Sequence, residues 1–96
     1  MNKRCIARPN DGRTFTVTNG KGKVVASCNR VVIDFTDGFF GTEKLMEPET
    51  MAFPCDEAGN VWFGNEFGRW LGPECFEDVA SDLNVTIDPE SWEIFD

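Results

Sequence analysis

With 96 residues, 41% of them apolar, the chain has material for one modest core and not for a cofactor-binding domain beside a substrate domain, which excludes most large enzyme folds. Nine Phe and three Trp argue against wholesale disorder, and the lack of His and Tyr removes two common general acids and bases. The formal charge of −8 is lopsided: residues 1 to 33 carry seven basic side chains against Asp11 alone, a net +6, whereas residues 34 to 96 carry Lys44 and Arg69 against sixteen carboxylates, a net −14. Such a field disfavours DNA and anionic membranes as partners and favours a positively charged surface, unless the basic opening segment folds over the acidic remainder and cancels it.

Taken in chain order, the sequence reads as short strands separated by turn signals, then one helix, within a single domain over residues 1–96. Cys5 to Ala7 forms a strand ended by Pro9 and the Asn10-Asp11-Gly12 turn. The best hairpin joins Thr14–Thr18 to Lys23–Cys28 through Asn19-Gly20-Lys21-Gly22. Its expected register sets Val17 opposite Val24 and Phe15 opposite Ala26, with Phe15, Val17, Val24, Ala26 and Cys28 on the inward face. Val31–Thr36 follows, with Val31, Ile33 and Phe35 on one face. It ends at Asp37-Gly38, whose tight turn would return Phe39–Thr42 and set Phe40 against Phe35.

After a loop at Glu47–Thr50, a strand around Met51–Phe53 leads through the Asp56-Glu57-Ala58-Gly59 turn into Asn60–Phe63, a third hairpin. Pro73 suits the first position of a helix running to Leu83, on which Phe76, Val79, Ala80 and Leu83 form one apolar stripe and Asn84 is the stop. Val85–Ile87 is a returning strand, and the tail carries Trp92, Ile94 and Phe95 either in a last helical turn or extended. The expected class is therefore α+β: an antiparallel sheet of about five to six short strands in hairpins, packed with one amphipathic helix near 73–83.

No run of about 18 apolar residues is long enough to cross a membrane. Met1–Arg8 has positive charge but not the apolar stretch of a signal peptide, so the expected address is the cytoplasm. Cys5, Cys28, Cys55 and Cys75 lie too far apart for the close pairs of a structural zinc site, and in a reducing compartment they read as four buried thiols. No metal or cofactor is expected.

The helix carries the most specific functional signal. Glu74, Glu77, Asp78 and Asp82 fall on the face away from the apolar stripe, over about 12 Å at ~1.5 Å per residue. That is roughly one charge per 3 Å, close to the ~3.4 Å charge spacing along one DNA strand. The like-charged pairs Glu74/Asp78 and Asp78/Asp82 cost a few tenths of a kcal/mol each, and a repulsion kept on a surface points to use. Trp62, Arg69 and Trp70, in the aromatic run 61–71, are candidate anchors for a partner protein if exposed, and core residues otherwise.

Catalytic patterns fail on named residues. No His stands beside any Cys as a base, Gly20-Lys21-Gly22-Lys23 lacks the length and hydroxyl of a phosphate-binding loop, and Asp56–Asn60 resembles a calcium loop only until Ala58 and Phe67. The basic opening third has one aromatic, Phe15, before residue 35, too few for a stacking single-strand surface, so direct nucleic-acid binding is not expected. In small size, acidity, a carboxylate-rich helix and the lack of a catalytic motif, the chain resembles phage-encoded inhibitors of host defence, the anti-CRISPR and antirestriction proteins. The likeness lies in composition alone. It implies a non-catalytic inhibitor in the host cytoplasm that mimics DNA and blocks the basic, nucleic-acid-binding surface of a partner protein. The alternatives are a housekeeping or structural interaction module, self-associating as a homodimer through its basic third and acidic remainder, and a small enzyme that uses carboxylates.

Overall fold

The segment Arg30–Thr36 (β4) alternates as expected, yet both of its faces are covered, since every residue from Val31 to Thr36 is buried. It is the central strand of a sheet in a computed structural model that describes residues 2–95. Antiparallel to it run β1 (Asn2–Pro9) on one side and β7 (Glu49–Cys55) on the other, and β8 (Gly68–Leu71) extends the sheet beyond β7. On its far side β1 pairs with two short strands. These are β9 (Val85–Ile87), opposite Ala7–Pro9, and β10 (Glu93–Phe95), opposite Asn2–Arg4. Two small ribbons stand apart, β2 (Phe15–Thr18) with β3 (Val24–Cys28) and β5 (Phe39–Phe40) with β6 (Glu43–Lys44). One helix, α1 (Phe76–Leu83), completes an α+β fold that is mostly antiparallel sheet.

Alternation along the strands divides the core into two layers. Val31, Ile33 and Phe35 of β4 join Cys5 and Ala7 of β1 and Ala52 of β7 beneath Phe76 and Val79 of α1. The opposite face carries Arg4, Val32, Asp34, Met51 and Phe53. There Phe40 stacks parallel to Phe53 at 5.8 Å, and Phe63 meets Phe53 edge-on at 5.1 Å, so the β5–β6 ribbon and the segment around Phe63 form a roof.

Four sequence expectations are corrected. The β2–β3 ribbon pairs Val17 with Ala26 and Phe15 with Cys28, not with Val24 and Ala26. The Asn19 side chain accepts hydrogen bonds from the Lys21 and Lys23 backbone N–H groups and builds a wider turn, and Val25 is then the extra residue of a bulge. Val24 is consequently turned outward, at 57% exposure. Secondly, β5 pairs with β6, and Phe40 lies on Phe53 rather than against Phe35, because both edges of β4 are already taken by β1 and β7. Thirdly, the Asp56–Gly59 turn forms as expected, but Asn60–Phe63 makes only one bridge, Val61 to Cys55, and the edge of β7 goes instead to β8, which the sequence reading placed in no strand.

Lastly, α1 begins three residues after Pro73. Gly72, at φ 102°, donates its N–H to the Pro48 carbonyl and turns the chain out of β8, so Pro73 and Glu74 complete the turn before the helix. Cys75 is the N-cap and supplies only its carbonyl, to Val79 N–H at 3.0 Å. Glu77 and Asp78 in the first turn favour the positive end of the helix dipole. No basic residue lies in the last turn, but Arg13, from the loop before β2, donates to the Leu83 carbonyl and does that work from a distance.

Asn84 ends α1, as the sequence predicts, and does so in the left-handed region, φ 55° and ψ 53°, with its N–H on the Ala80 and Ser81 carbonyls. Its side chain also accepts from Asn10 Nδ2 at 3.0 Å. Asn84→Ala is expected to lower stability by about 1–2 kcal/mol, since a Cβ without a local hydrogen bond strains that conformation. Asn84→Gly should recover part of the loss, and paired urea titrations measure the difference.

Candidate functional site

The seven candidate residues do not converge on one patch. Glu77 and Asp78 are exposed and have no ion-pair partner among the described residues. Glu74 lies before the helix, outside the i,i+4 ladder expected to set it against Asp78, and it meets Lys3 Nζ of β1 at 3.0 Å. With both partners well exposed, that bridge contributes about 0–1 kcal/mol. Asp82 accepts a hydrogen bond from Trp70 Nε1 at 2.9 Å. Of the four carboxylates only Glu74 is paired with a cation among the described residues; Asp82 keeps its charge beside the neutral Trp70 indole, as Glu77 and Asp78 keep theirs, but the even row is broken at its first member.

The expected aromatic and arginine anchors are also occupied. Trp70 packs half-buried against the helix-side core, and its indole N–H is spent on Asp82. Arg69, on the other face of β8, lies between Glu49 at 3.5 Å and Glu66 at 3.3 Å. Trp62 is half-buried beside the β2–β3 turn, where Asn19 and Val25 line the same shallow depression.

What the fold does assemble is a groove of about 550 Å³ between the start of α1 and the chain leading into β10. Its rim is acidic, with Glu74, Glu77 and Asp78, and its apolar side is Phe76, Ile87, Pro89 and Trp92. Trp92 stands edge-on to Phe76 at 4.8 Å and keeps 45% of its surface exposed. Ile94, two residues on and paired with Lys3, is 64% exposed. The residues 88–91 fix this arrangement: Asp88 N–H donates to the Ile6 carbonyl at 2.9 Å, and Ser91 Oγ accepts from Ile6 N–H at 2.8 Å. Clamped there on β1, the chain enters β10 with Trp92 and Ile94 on the helix side. By pattern Trp92 belongs to the tail and to no candidate site; its signal is the alternation of Trp92 and Ile94 with Glu93 and Phe95, which an extended tail turns into two faces.

Electrostatically, four of the seven basic side chains of the opening third are paired within the molecule, whereas Arg8, Lys21 and Lys23 make no ion pair among the described residues. Lys3 faces Glu74, Arg4 pairs with Asp34 at 3.2 Å, Arg13 meets Asp11 at 3.5 Å and Arg30 reaches Glu57 at 4.0 Å. Asp88, Glu90 and Glu93, like Glu77 and Asp78, make no such pair among the described residues, so the end of the molecule around α1 and β10 keeps its negative field. None of the protein families, curated proteins or solved structures compared with this chain matches it.

For covalent chemistry the thiols are poorly placed. Cys5, Cys28 and Cys55 are buried, and Cys75 is half-buried, a departure from the four buried thiols expected. Burial, and secondly the Asp34 carboxylate, push the Cys5 thiol up to about 12. Burial raises Cys28 and Cys55 as well, so all three favour the unreactive protonated form. Among the described residues no three His, Cys, Asp or Glu side chains are gathered to hold a metal ion. Among the described residues no helix is long and apolar enough to cross a membrane.

Proposed function

We propose that this chain is a non-catalytic acidic binding module that occupies a basic surface of a partner protein, in the manner of phage-encoded inhibitors of nucleic-acid-binding defence proteins. The observation that supports it is the groove beside α1, where an exposed Trp sits next to unpaired Glu77 and Asp78. A large aromatic buries much area at small entropic cost, and rim carboxylates steer a basic partner and set its register. The interface so defined is Glu77, Asp78 and Trp92 with Ile94, Glu74 contributing a charge that Lys3 already shares. Asp82, Trp62, Arg69 and Trp70 are structural in this reading.

The test is capture of partners from a lysate of the native host, elution with salt, and titration of the captured protein against variants. Glu77→Gln with Asp78→Asn should weaken binding several-fold at low ionic strength and flatten its salt dependence, while Trp92→Ala should cost about 2 kcal/mol or more. Unchanged affinity of the double variant at low salt rejects the electrostatic reading. Salt-sensitive dimers in sedimentation would favour self-association instead; the intramolecular pairs of Lys3, Arg4 and Arg30 leave that reading few basic groups.

A further inference from the structure

The main sheet has an open edge beside the acidic groove. β10 is bonded to β1 on one side, and among the described residues no strand follows it on the other. Where its backbone groups point follows from β1. Ile6 turns both its N–H, toward Ser91, and its carbonyl, toward Asp88, to that side of the strand. Residues two apart on a strand point the same way, so Arg4 and Asn2 also face β10, whereas Lys3 and Cys5 face β4. The partners of Arg4 and Asn2, which are Glu93 and Phe95, therefore bond β1 through their own N–H and carbonyl groups. Ile94, between them, points both groups away from the sheet, and no loop or helix backbone bonds them among the described residues.

Edges of this kind are commonly blunted by a lysine, a proline or a bulge. Glu93–Phe95 has no lysine, no proline and no shift of register. Ile94 and, at the groove, Trp92 are exposed on its helix side, and Glu93 and Phe95 lie on its other side. Glu77, Asp78, Glu90 and Glu93 around it make no ion pair among the described residues. A second copy laid antiparallel on β10 would match Ile94 with Ile94 but would bring both sets of acids together. Charge therefore rejects the self-pair and selects a basic strand.

We propose that β10 is a docking edge that takes one extended, basic segment of the partner protein as an added antiparallel strand. Every pairing already in this sheet is antiparallel. The segment's residue opposite Ile94 exchanges both backbone bonds with it and lays an apolar side chain beside Ile94 and Trp92. Its two neighbours fall opposite Glu93 and Phe95, where a lysine or arginine meets the free carboxylate and rests its stem on the ring. The pattern recognised is thus basic, apolar, basic in an extended chain, with main-chain bonds supplying affinity and the alternation supplying specificity. This inference rests on the acidic binding function proposed above and adds the mode of binding to it.

The full chain, labelled with ¹⁵N, is titrated at low salt with acetyl-Lys-Val-Lys-Val-Lys-Val-Lys-amide, with the same peptide N-methylated at its valines or at its inner lysines, and with a helical Ala/Lys peptide of equal charge. The parent peptide should give saturable shifts in residues 92–95 at about millimolar concentration. Exchange of the Ile94 amide should slow, while those of Glu93 and Phe95, already bonded to β1, change little. The valine-methylated peptide, which cannot bond Ile94, should bind about tenfold more weakly than the lysine-methylated one, whose blocked edge faces away. Ile94→Pro removes the outward donor and no bond to β1, a change that edge strands accept, and should also cost about tenfold. The proposal is overturned if the two methylated peptides bind wild type equally, if the helical peptide matches the parent, or if shifts avoid residues 92–95. The methylated pair decides on wild type alone should Ile94→Pro not fold. Failure of the underlying charge reading looks different: Glu77→Gln with Asp78→Asn would leave the parent peptide's affinity unchanged at low salt while the methylated peptides still differ.

Discussion

Phe53→Ala is expected to lower the unfolding free energy by about 3–5 kcal/mol, a large part of the ~5–15 kcal/mol that domains possess. Phe53 is fully buried on β7, opposite Val32 of the central strand, and its ring is the surface on which Phe40 stacks and against which Phe63 stands edge-on. Truncation therefore removes transfer free energy, leaves a cavity and takes away the contacts that hold the roof. The β5–β6 ribbon has two residues per strand and pairs only with itself, so Phe40 and buried Leu45 are its main apolar attachments. Urea titration measures the first effect. Faster amide exchange across residues 38–46, relative to the centre of β4, reports the second. Phe53→Leu should cost appreciably less, since most of the volume remains. A loss under 1 kcal/mol for Phe53→Ala would mean that the roof collapses into the space and that this layer is not close-packed.

The same layer marks where sequence reading stops. The helix stripe of Phe76 and Val79, the helix stop at Asn84, the returning strand at Val85 and the turn at Asp56 were legible because each depends on residues a few positions apart. The long pairings were not. β1 accepts β4, β9 and β10 from across the whole chain, and nothing local in Asn2–Pro9 announces three partners. Gly68–Leu71 is half-exposed and short, so its strand character comes from the free edge of β7 and not from its own pattern. At the candidate site the charges were legible but the partners of Glu74 and Asp82, a cation for the first and a neutral indole N–H for the second, were not. Lys3 reaches Glu74 and Trp70 reaches Asp82 only after β1 and β8 have taken their places beside the helix. Conversely, the burial of Asp34 could not be read from the pattern of β4, because the strand alternates as though one face were wet, and the segments that cover that face, with Phe40 and Phe63 packed on Phe53, come from elsewhere in the chain.

That burial has a measurable consequence. Loss of water raises the Asp34 carboxyl to about 6, a rise that Arg4 opposes and Glu93 reinforces. An unfolded aspartate titrates near ~3.9. The native state thus holds a proton that the unfolded chain releases over the window from about pH 4 to pH 6, and stability from this group is complete below the lower value and lost as the pH rises through the upper one. A difference of about two pKa units corresponds to roughly 3 kcal/mol. Asp34→Asn cannot titrate, so the stability of wild type minus that of the variant should fall by about this amount between pH 3.5 and pH 7, whatever the other carboxylates do in both proteins. Denaturation at four pH values in that range measures it, and a flat difference would show that the carboxylate is hydrated. Replacing Arg4 by Met removes the one opposing charge and should move the falling segment to higher pH. Glu93→Gln should move it to lower pH, because the acid that repels the ionised carboxylate is gone. The opposite shifts of those two variants distinguish a desolvated carboxylate between two competing charges from one whose proton is held by a direct hydrogen bond.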